Sequence, residues 1–339
     1  MPELDLRGTP AHELMRAVTA AYERLRPGES VAILLKAYGA RLRMGMVEAG
    51  ARHEAERLPS GDWRLAVHGA SRSLSTAPGV HHVVAGPAGD VFTCERAKRA
   101  ARIDGATGEV AALRAVATTA SHMAYDAARD RLFIGDAGGN ALVCVRGRDL
   151  EPLGRWDIPG APQLPIVTDD GIACITGGGA GVLGVVWPSA GGFRAGVVEV
   201  GEGPHDPLAT PDGKAVLVPC AGTGEVVRVS LSDGKVAERY AVGDGPAHLA
   251  AHPDGTRIYV ANTFDGTLAA ISPEGDLLAR VPSGNWAHVP KVTPDGRCVY
   301  VANFYDDTLA IFDAMTLARV GEVATGPYPH GLDISPDGA

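Results

Sequence analysis

The run Ala251-His252-Pro253-Asp254-Gly255-Thr256-Arg257-Ile258-Tyr259-Val260-Ala261-Asn262 decides the fold. Proline presets the backbone at the first turn position and glycine supplies a positive φ. Pro-Asp-Gly therefore joins two short antiparallel strands. The triplet recurs, with prolines at 211, 253, 294 and 336, spaced 42, 41 and 42 residues apart. The first three copies lead into β-runs: Val216-Leu217-Val218, Ile258-Tyr259-Val260 and Val299-Tyr300-Val301. The register extends backwards through Asp169-Asp170-Gly171 before Ile172-Ala173-Cys174-Ile175, Ala127 before Leu132-Phe133-Ile134, and Pro87-Ala88-Gly89 before Val91-Phe92-Thr93. One repeat reads as strand a, Pro-Asp-Gly, strand b, a Gly/Asp turn, strand c, a turn, then strand d. Four short strands in about 40 residues make one propeller blade, which needs neighbours on both faces to bury its apolar residues.

Residues 71–339 are thus expected to form an all-β propeller on a seven-blade plan with the seventh blade incomplete. The repeats span 78–117, 118–158, 159–200, 201–242, 243–283 and 284–325, with a partial repeat at 326–339. Ser71–Thr76 is expected to lend an outermost strand to that last blade. Gly177-Gly178-Gly179-Ala180-Gly181 falls in a blade turn and is not a phosphate loop.

Residues 1–70 have a different texture. A short strand at Glu3–Leu6 precedes a helix-period pattern over 11–25, with Thr9 as N-cap and Pro10 at the first helical position. An apolar strand at Ser30–Leu35, a second helix over 37–49, and a hairpin of His53–Leu58 and Trp63–Val67 follow. The order β-α-β-α-β-β predicts a small two-layer α/β sandwich.

Composition limits the functions on offer. The chain has 339 residues, 45% of them hydrophobic, with 44 Gly and 24 Pro, which suits large cores and many turns. A net charge of −9 argues against nucleic acid and anionic lipid as partners. No stretch approaches the roughly 18 apolar residues of a membrane span. Met1-Pro2-Glu3-Leu4-Asp5 lacks the basic and apolar regions of a signal peptide, so a cytoplasmic location is expected. The five cysteines contain no CxxC pair and read as reduced thiols, mostly on strands.

Two stretches resemble known families. Tyr259-Val260-Ala261-Asn262 and Tyr300-Val301-Ala302-Asn303, each followed by Thr-Leu, resemble the YVTN propeller repeat, which implies the propeller fold and spans many activities. Leu4-Asp5-Leu6-Arg7-Gly8, Leu25-Arg26-Pro27-Gly28-Glu29 and Gly61-Asp62-Trp63-Arg64 resemble the TusA/SirA sulfur-carrier family. That family carries sulfur on the cysteine of a Cys-Pro pair. Here the matching positions are Ala11 and His12, so the resemblance implies a cysteine-less relative, read as a docking module for a protein partner.

The candidate chemistry lies in the histidines. Seven of the eleven sit at one place in the repeat, just before or at the start of strand a: His81, His82, His122, His205, His248, His288 and His330. His205, His288 and His330 stand six residues before their Pro-Asp-Gly, and His248 stands five before; blade 3 has Gln163 and Leu164 instead. Strand a is the innermost strand, so its start lies at one mouth of the central channel. Strand b returns to that mouth, ending at Glu95, Asp136, Thr176, Cys220, Asn262 and Asn303. Imidazole is the commonest transition-metal ligand and a base near neutral pH. The expectation is a metal site, with Cu, Zn or Fe as candidates, formed by the seven histidines. Glu95, Asp136, Gln163 and Cys220 are expected as further cofactor contacts, while Asn262 and Asn303 are structural.

Three functions compete: a metal-dependent enzyme, a non-catalytic protein that binds a small ligand or tetrapyrrole, and an interaction scaffold. Pro329-His330-Gly331 and Pro204-His205 resemble hub positions of streptogramin lyase-like propellers, and copper-cluster and haem d1 propellers also gather hub histidines. The bland alternative is that each histidine only bonds the neighbouring blade's backbone. The five and six offsets would turn successive rings to opposite faces unless a bulge compensates. His12, His53, His68 and His252 read as surface residues, and Met123 and Met315 as core.

Overall fold

The computed structural model describes residues 3–7, 17, 30–35, 52–57, 63–68, 80–95 and 98–334. The chain divides into two compact units, Met1–Gly79 and Val80–Ala339. In the first, β1 (Glu3–Asp5), β2 (Ser30–Leu35), β3 (Arg52–Arg57) and β4 (Trp63–His68) form one sheet in the order β1-β2-β4-β3. The β1/β2 pair is parallel and the others antiparallel. Parallel neighbours require a crossover. Apart from Ala17, which is helical, the residues that would make it lie outside the described residues, as do the expected helix over 37–49 and the strand at 71–76.

The second unit is an array of antiparallel four-stranded sheets. Blade 1 holds β5–β8 (Val80–Ala85, Val91–Glu95, Arg99–Ile103, Val110–Ala115) and blade 2 holds β9–β12 (Ala120–Asp126, Arg131–Asp136, Ala141–Arg146, Pro152–Asp157). Blade 3 holds β13–β16 (Pro165–Val167, Ala173–Gly177, Val182–Ser189, Gly192–Glu199) and blade 4 holds β17–β20 (Leu208–Ala209, Ala215–Cys220, Glu225–Ser230, Val236–Ala241). Blade 5 holds β21–β24 (Pro246–Ala251, Ile258–Asn262, Thr267–Ile271, Leu277–Pro282) and blade 6 holds β25–β28 (Ala287–Val292, Cys298–Asn303, Thr308–Asp313, Arg319–Ala324). Residues 325–334 continue without a strand, and the last Pro-Asp-Gly lies outside the described residues. No described helix is long and apolar enough to cross a membrane.

The hydrophobic core is a series of layers between blades. On β10, Leu132 and Ile134 pack toward blade 1 while Phe133 packs toward blade 3. On β22, Tyr259 and Ala261 face blade 6 while Ile258 and Val260 face blade 4. Alternate side chains of a strand point to opposite faces, and both faces are covered here. That is why strand b reads as an unbroken apolar run rather than an alternating one. The outermost strands meet solvent, leaving Leu277 and Val320 exposed.

The Pro-Asp-Gly turns repeat one bonding scheme. The residue before each proline accepts a bond from the glycine amide: Thr210 from Gly213, His252 from Gly255, Thr293 from Gly296. These glycines hold φ of +68° to +74°, the left-handed region that favours glycine. His252 overturns its surface assignment. It is buried, with Nε2 donating across the blade boundary to the Gly296 carbonyl at 2.8 Å and Nδ1 2.6 Å from Asp254 Oδ1. Gly296 makes room, since a Cβ there would sit 2.8 Å from the ring. Met123 is core, whereas Met315, in the turn between β27 and β28, is 48% exposed.

No disulfide joins the five cysteines. Cys94, Cys144, Cys174 and Cys220 are buried between blades, and burial pushes the Cys144 and Cys220 thiols up to about 12. Only the thiolate reacts readily. A disulfide-exchange reagent at pH 8 is therefore expected to modify Cys298 alone in the folded protein, and all five thiols in denaturant. Rapid modification of two or more thiols in the native state would contradict this packing.

Candidate metal centre at the channel mouth

The first strands of successive blades touch along the inside of the array, β5 against β9, β9 against β13 and β21 against β25. Their starts are irregular. Pairing jumps between Val80 and His82 in β5, across Ser121-His122 in β9, across Ala247 in β21, and across His288-Val289 in β25. A bulge inserts a residue and re-aims the side chains beside it. These bulges resolve the five-versus-six offset: His248 and His288, which differ in offset, have ring centroids 4.2 Å apart.

Blade 4 solves the problem with proline. Pro204 and Pro207 lack the amide a ladder needs, and β17 shrinks to Leu208–Ala209. His205 and Asp206 are thereby left outside the strand. The His205 amide donates to Pro219, and the Asp206 amide crosses to the Ala247 carbonyl of blade 5 at 3.2 Å. That cross-blade bond turns the Asp206 carboxylate toward His248, with Oδ2 2.9 Å from His248 Nδ1. His205 Nδ1 lies 3.1 Å from Asp206 Oδ1, but out of line for a hydrogen bond.

Four of the seven predicted histidines form one chain of rings. Centroids are separated by 4.7 Å for His205–His248, 4.2 Å for His248–His288 and 4.5 Å for His288–His330. His248 and His288 are buried, His205 is half-buried and His330 exposed. Phe304 lies beneath the chain, 6.2 Å from His288 and 6.0 Å from His330.

Hydrogen-bond polarity orders this chain. A carbonyl only accepts, so His288 Nδ1 donates to the His330 carbonyl at 3.3 Å. The other His288 nitrogen then carries a lone pair, and His248 Nε2 donates to it at 3.2 Å. His248 Nδ1 is left facing Asp206. Burial, reinforced by the neighbouring imidazoles, drives His288 down to about 2, so it stays neutral. Burial opposes ionisation of Asp206 too, yet the adjacent His248 and His205 hold its carboxyl far below the ordinary range. One ligand atom each from His205, Asp206 and His248 fits within 4.8 Å, the spacing a single ion could bridge.

The described side chains among the remaining predicted residues make other contacts. His82 Nδ1 accepts from the Met123 amide of blade 2 at 3.2 Å, the neighbour-backbone role weighed above, and its ring lies 4.8 Å from that of His122. His81 and Glu95 belong to β5 and β6, but their side chains lie outside the described residues. Asp136 is fully buried and serves the blade rather than the centre. Its oxygens accept from the amides of Thr118, Thr119 and Gly139 and from Arg155. Cys220 packs into the layer between blades 3 and 4 as a protonated thiol. Gln163 is exposed and contributes its carbonyl to Ser121. Asn262 and Asn303 are buried strand-end ties, donating to Val242 and to Thr308. Asp206 is not singled out by the sequence reading, although its place between two prolines and directly after a predicted histidine is visible there.

The profile of the lactonase family of seven-bladed β-propellers matches residues 196–339, which contain His205, Asp206, His248, His288 and His330. No curated protein matches the chain. Among solved structures, the chain is similar to hydrazine synthase of Kuenenia stuttgartiensis (18% identity, TM-score 0.59, covering 79% of this chain and 93% of that one). It is also similar to a putative 6-phosphogluconolactonase from Bacteroides fragilis (21% identity, TM-score 0.59, 77% and 84%). A third is the β-propeller domain of Cps50 (Swd1) from Myceliophteria thermophila (11% identity, TM-score 0.59, 76% and 88%). At these identities the likeness shows the β-propeller fold alone.

Proposed function

We propose that the protein is a metal-dependent hydrolase of lactone-type esters whose metal is held by His205, Asp206 and His248. The observation that carries this reading is the donor order His248 → His288 → His330 carbonyl. Metal-bound histidines characteristically donate their second N–H to an acceptor, which fixes ring and tautomer. His248 meets that pattern, with Nε2–H engaged and Nδ1 presented beside a carboxylate. His288 is then a positioning residue, kept neutral so that it accepts. Bound Zn, Fe or Cu would polarise a carbonyl oxygen and acidify a water for attack. The match of the lactonase profile to the segment bearing all these residues supports the ester substrate class.

The test is metal analysis of the purified, metal-loaded full chain with a panel of γ- and δ-lactones. About one equivalent of metal per chain is expected, with hydrolysis that chelation removes. His205→Ala combined with His288→Ala is expected to lose the metal at matched concentration. Sub-stoichiometric binding of Zn, Fe and Cu by the parent would overturn the metal centre. Full metal occupancy without lactone turnover would overturn the substrate class.

A further inference from the structure

The loop before strand a has one left-handed residue in each of several repeats. In repeats 4 and 5 it is Gly203 and Gly245, with φ of +62° and +68°. In repeats 6 and 7 the equivalent residues are Trp286 and Tyr328, at +60° and +56°. A bulky residue there is strained. The fold does not require it, because glycine serves the same turn next door. The position after strand b changes in the same way, from Gly222 in blade 4 to Phe264 in blade 5 and Tyr305 in blade 6.

The substituted rings meet. Centroid distances are 5.6 Å for Phe264–Trp286, 5.3 Å for Trp286–Tyr305 and 6.1 Å for Tyr305–Tyr328. Phe264 is 56% exposed and Tyr305 38%. A cavity of about 340 Å³ opens beside Phe264 and Trp286, walled by Asp265, Ser283 and Asn285. The loops bearing the rings are tied by aspartates: Asp306 accepts from the Asn285 amide, Asp307 from the Tyr328 amide, and Asp265 from the Asp244 amide. The carboxylates of Asp265, Asp306 and Asp307 outnumber the two guanidiniums at this ledge, Arg280, 3.7 Å from Asp265, and Arg319, which donates to the Ser283 carbonyl at 3.2 Å.

We infer that this ledge is a binding site for a small organic ammonium ion, held by cation–π contact with Trp286 and its neighbours and by the surrounding carboxylates. Tryptophan is the best aromatic partner for a cation, and an excess of carboxylates favours the opposite charge. The inference does not depend on the metal centre.

The probe is choline, titrated into the full chain and followed by calorimetry and by the Trp286 indole NMR signal, against its uncharged carbon isostere 3,3-dimethylbutan-1-ol. Saturable choline binding at least 5-fold tighter than the isostere is expected, weakening as salt rises. Trp286→Gly installs the residue that blades 4 and 5 use at this turn. It is expected to keep or raise the melting temperature, keep metal binding, and weaken choline at least 10-fold. Equal affinity for choline and its isostere would overturn the charge selection in favour of a neutral subsite. Absence of saturable binding, or unchanged binding by a folded Trp286→Gly variant, would overturn the site.

Discussion

Asp206→Asn is expected to weaken metal binding by on the order of 100-fold, in direct titration of the apo protein with Zn²⁺. The substitution keeps the side chain's size and removes its charge. Asp206 lies at 2.9 Å and 3.1 Å from nitrogens on two blades, so it is the anionic member of the three-residue set. Its two flanking prolines and its amide bond to Ala247 hold it in place without help from the carboxylate, so the backbone should survive the change. Loss of even an outer partner of a metal ligand typically costs 10- to 100-fold in affinity, and a direct ligand should reach the upper end. Stability should fall by only about 1–3 kcal/mol, the usual cost of unsatisfying one buried polar group. Zn²⁺ affinity unchanged in a folded Asp206→Asn would remove Asp206 from the centre and the proposed metal site with it.

The sequence exposes some of this arrangement because the fold is periodic. Pro-Asp-Gly at 211, 253 and 294 sets the a–b hairpins directly through proline and glycine geometry, and the strand b runs follow at a fixed distance. The histidine register is visible for the same reason. What periodicity hides is which rings meet, because a bulge at Ala247 and another at His288-Val289 decide that. Bulges leave no mark in a single sequence beyond an uneven offset. His252 was misjudged because its environment comes from the next blade, where Gly296 leaves a slot for the ring. Strand-end residues were misjudged for a related reason. Equivalent positions hold Asp136 and Cys220, whose chemistry suggests ligands until their partners are known, beside Asn262 and Asn303, which read as structural. Each instead matches the polarity of the groups its own blade presents.

Asp136 makes that last point quantitatively. Asp136→Ala is expected to destabilise the propeller by about 3–5 kcal/mol, the range seen when one partner of a buried charged network is removed. The change would orphan the amides of Thr118 and Thr119, remove one acceptor from the Gly139 amide and take from Arg155 its carboxylate partner. Thr118 and Thr119 lead into β9, so the loss falls on the start of an inner strand. In a domain of this size the melting temperature should drop by on the order of 10 °C. Arg155 is 44% exposed and contributes the smaller share, so Arg155→Ala should cost about 1 kcal/mol or less. The pH dependence has a definite sign. Burial opposes ionisation of Asp136, but bonds from Thr119, Arg155, Thr118 and Gly139 outweigh it and hold the carboxyl below its usual range. A depressed carboxyl contributes stability that is complete above the unfolded value, near 4, and is lost as pH falls through the folded one. The gap in melting temperature between parent and Asp136→Asn should therefore be full at pH 6 to 7 and shrink below pH 4. Asparagine serves in blades 5 and 6 because there the strand-end side chain donates to Val242 and to Thr308, whereas blade 2 presents three amide donors. A gap that stays constant from pH 7 to pH 3 would mean that the charge of Asp136 is not what secures the turn.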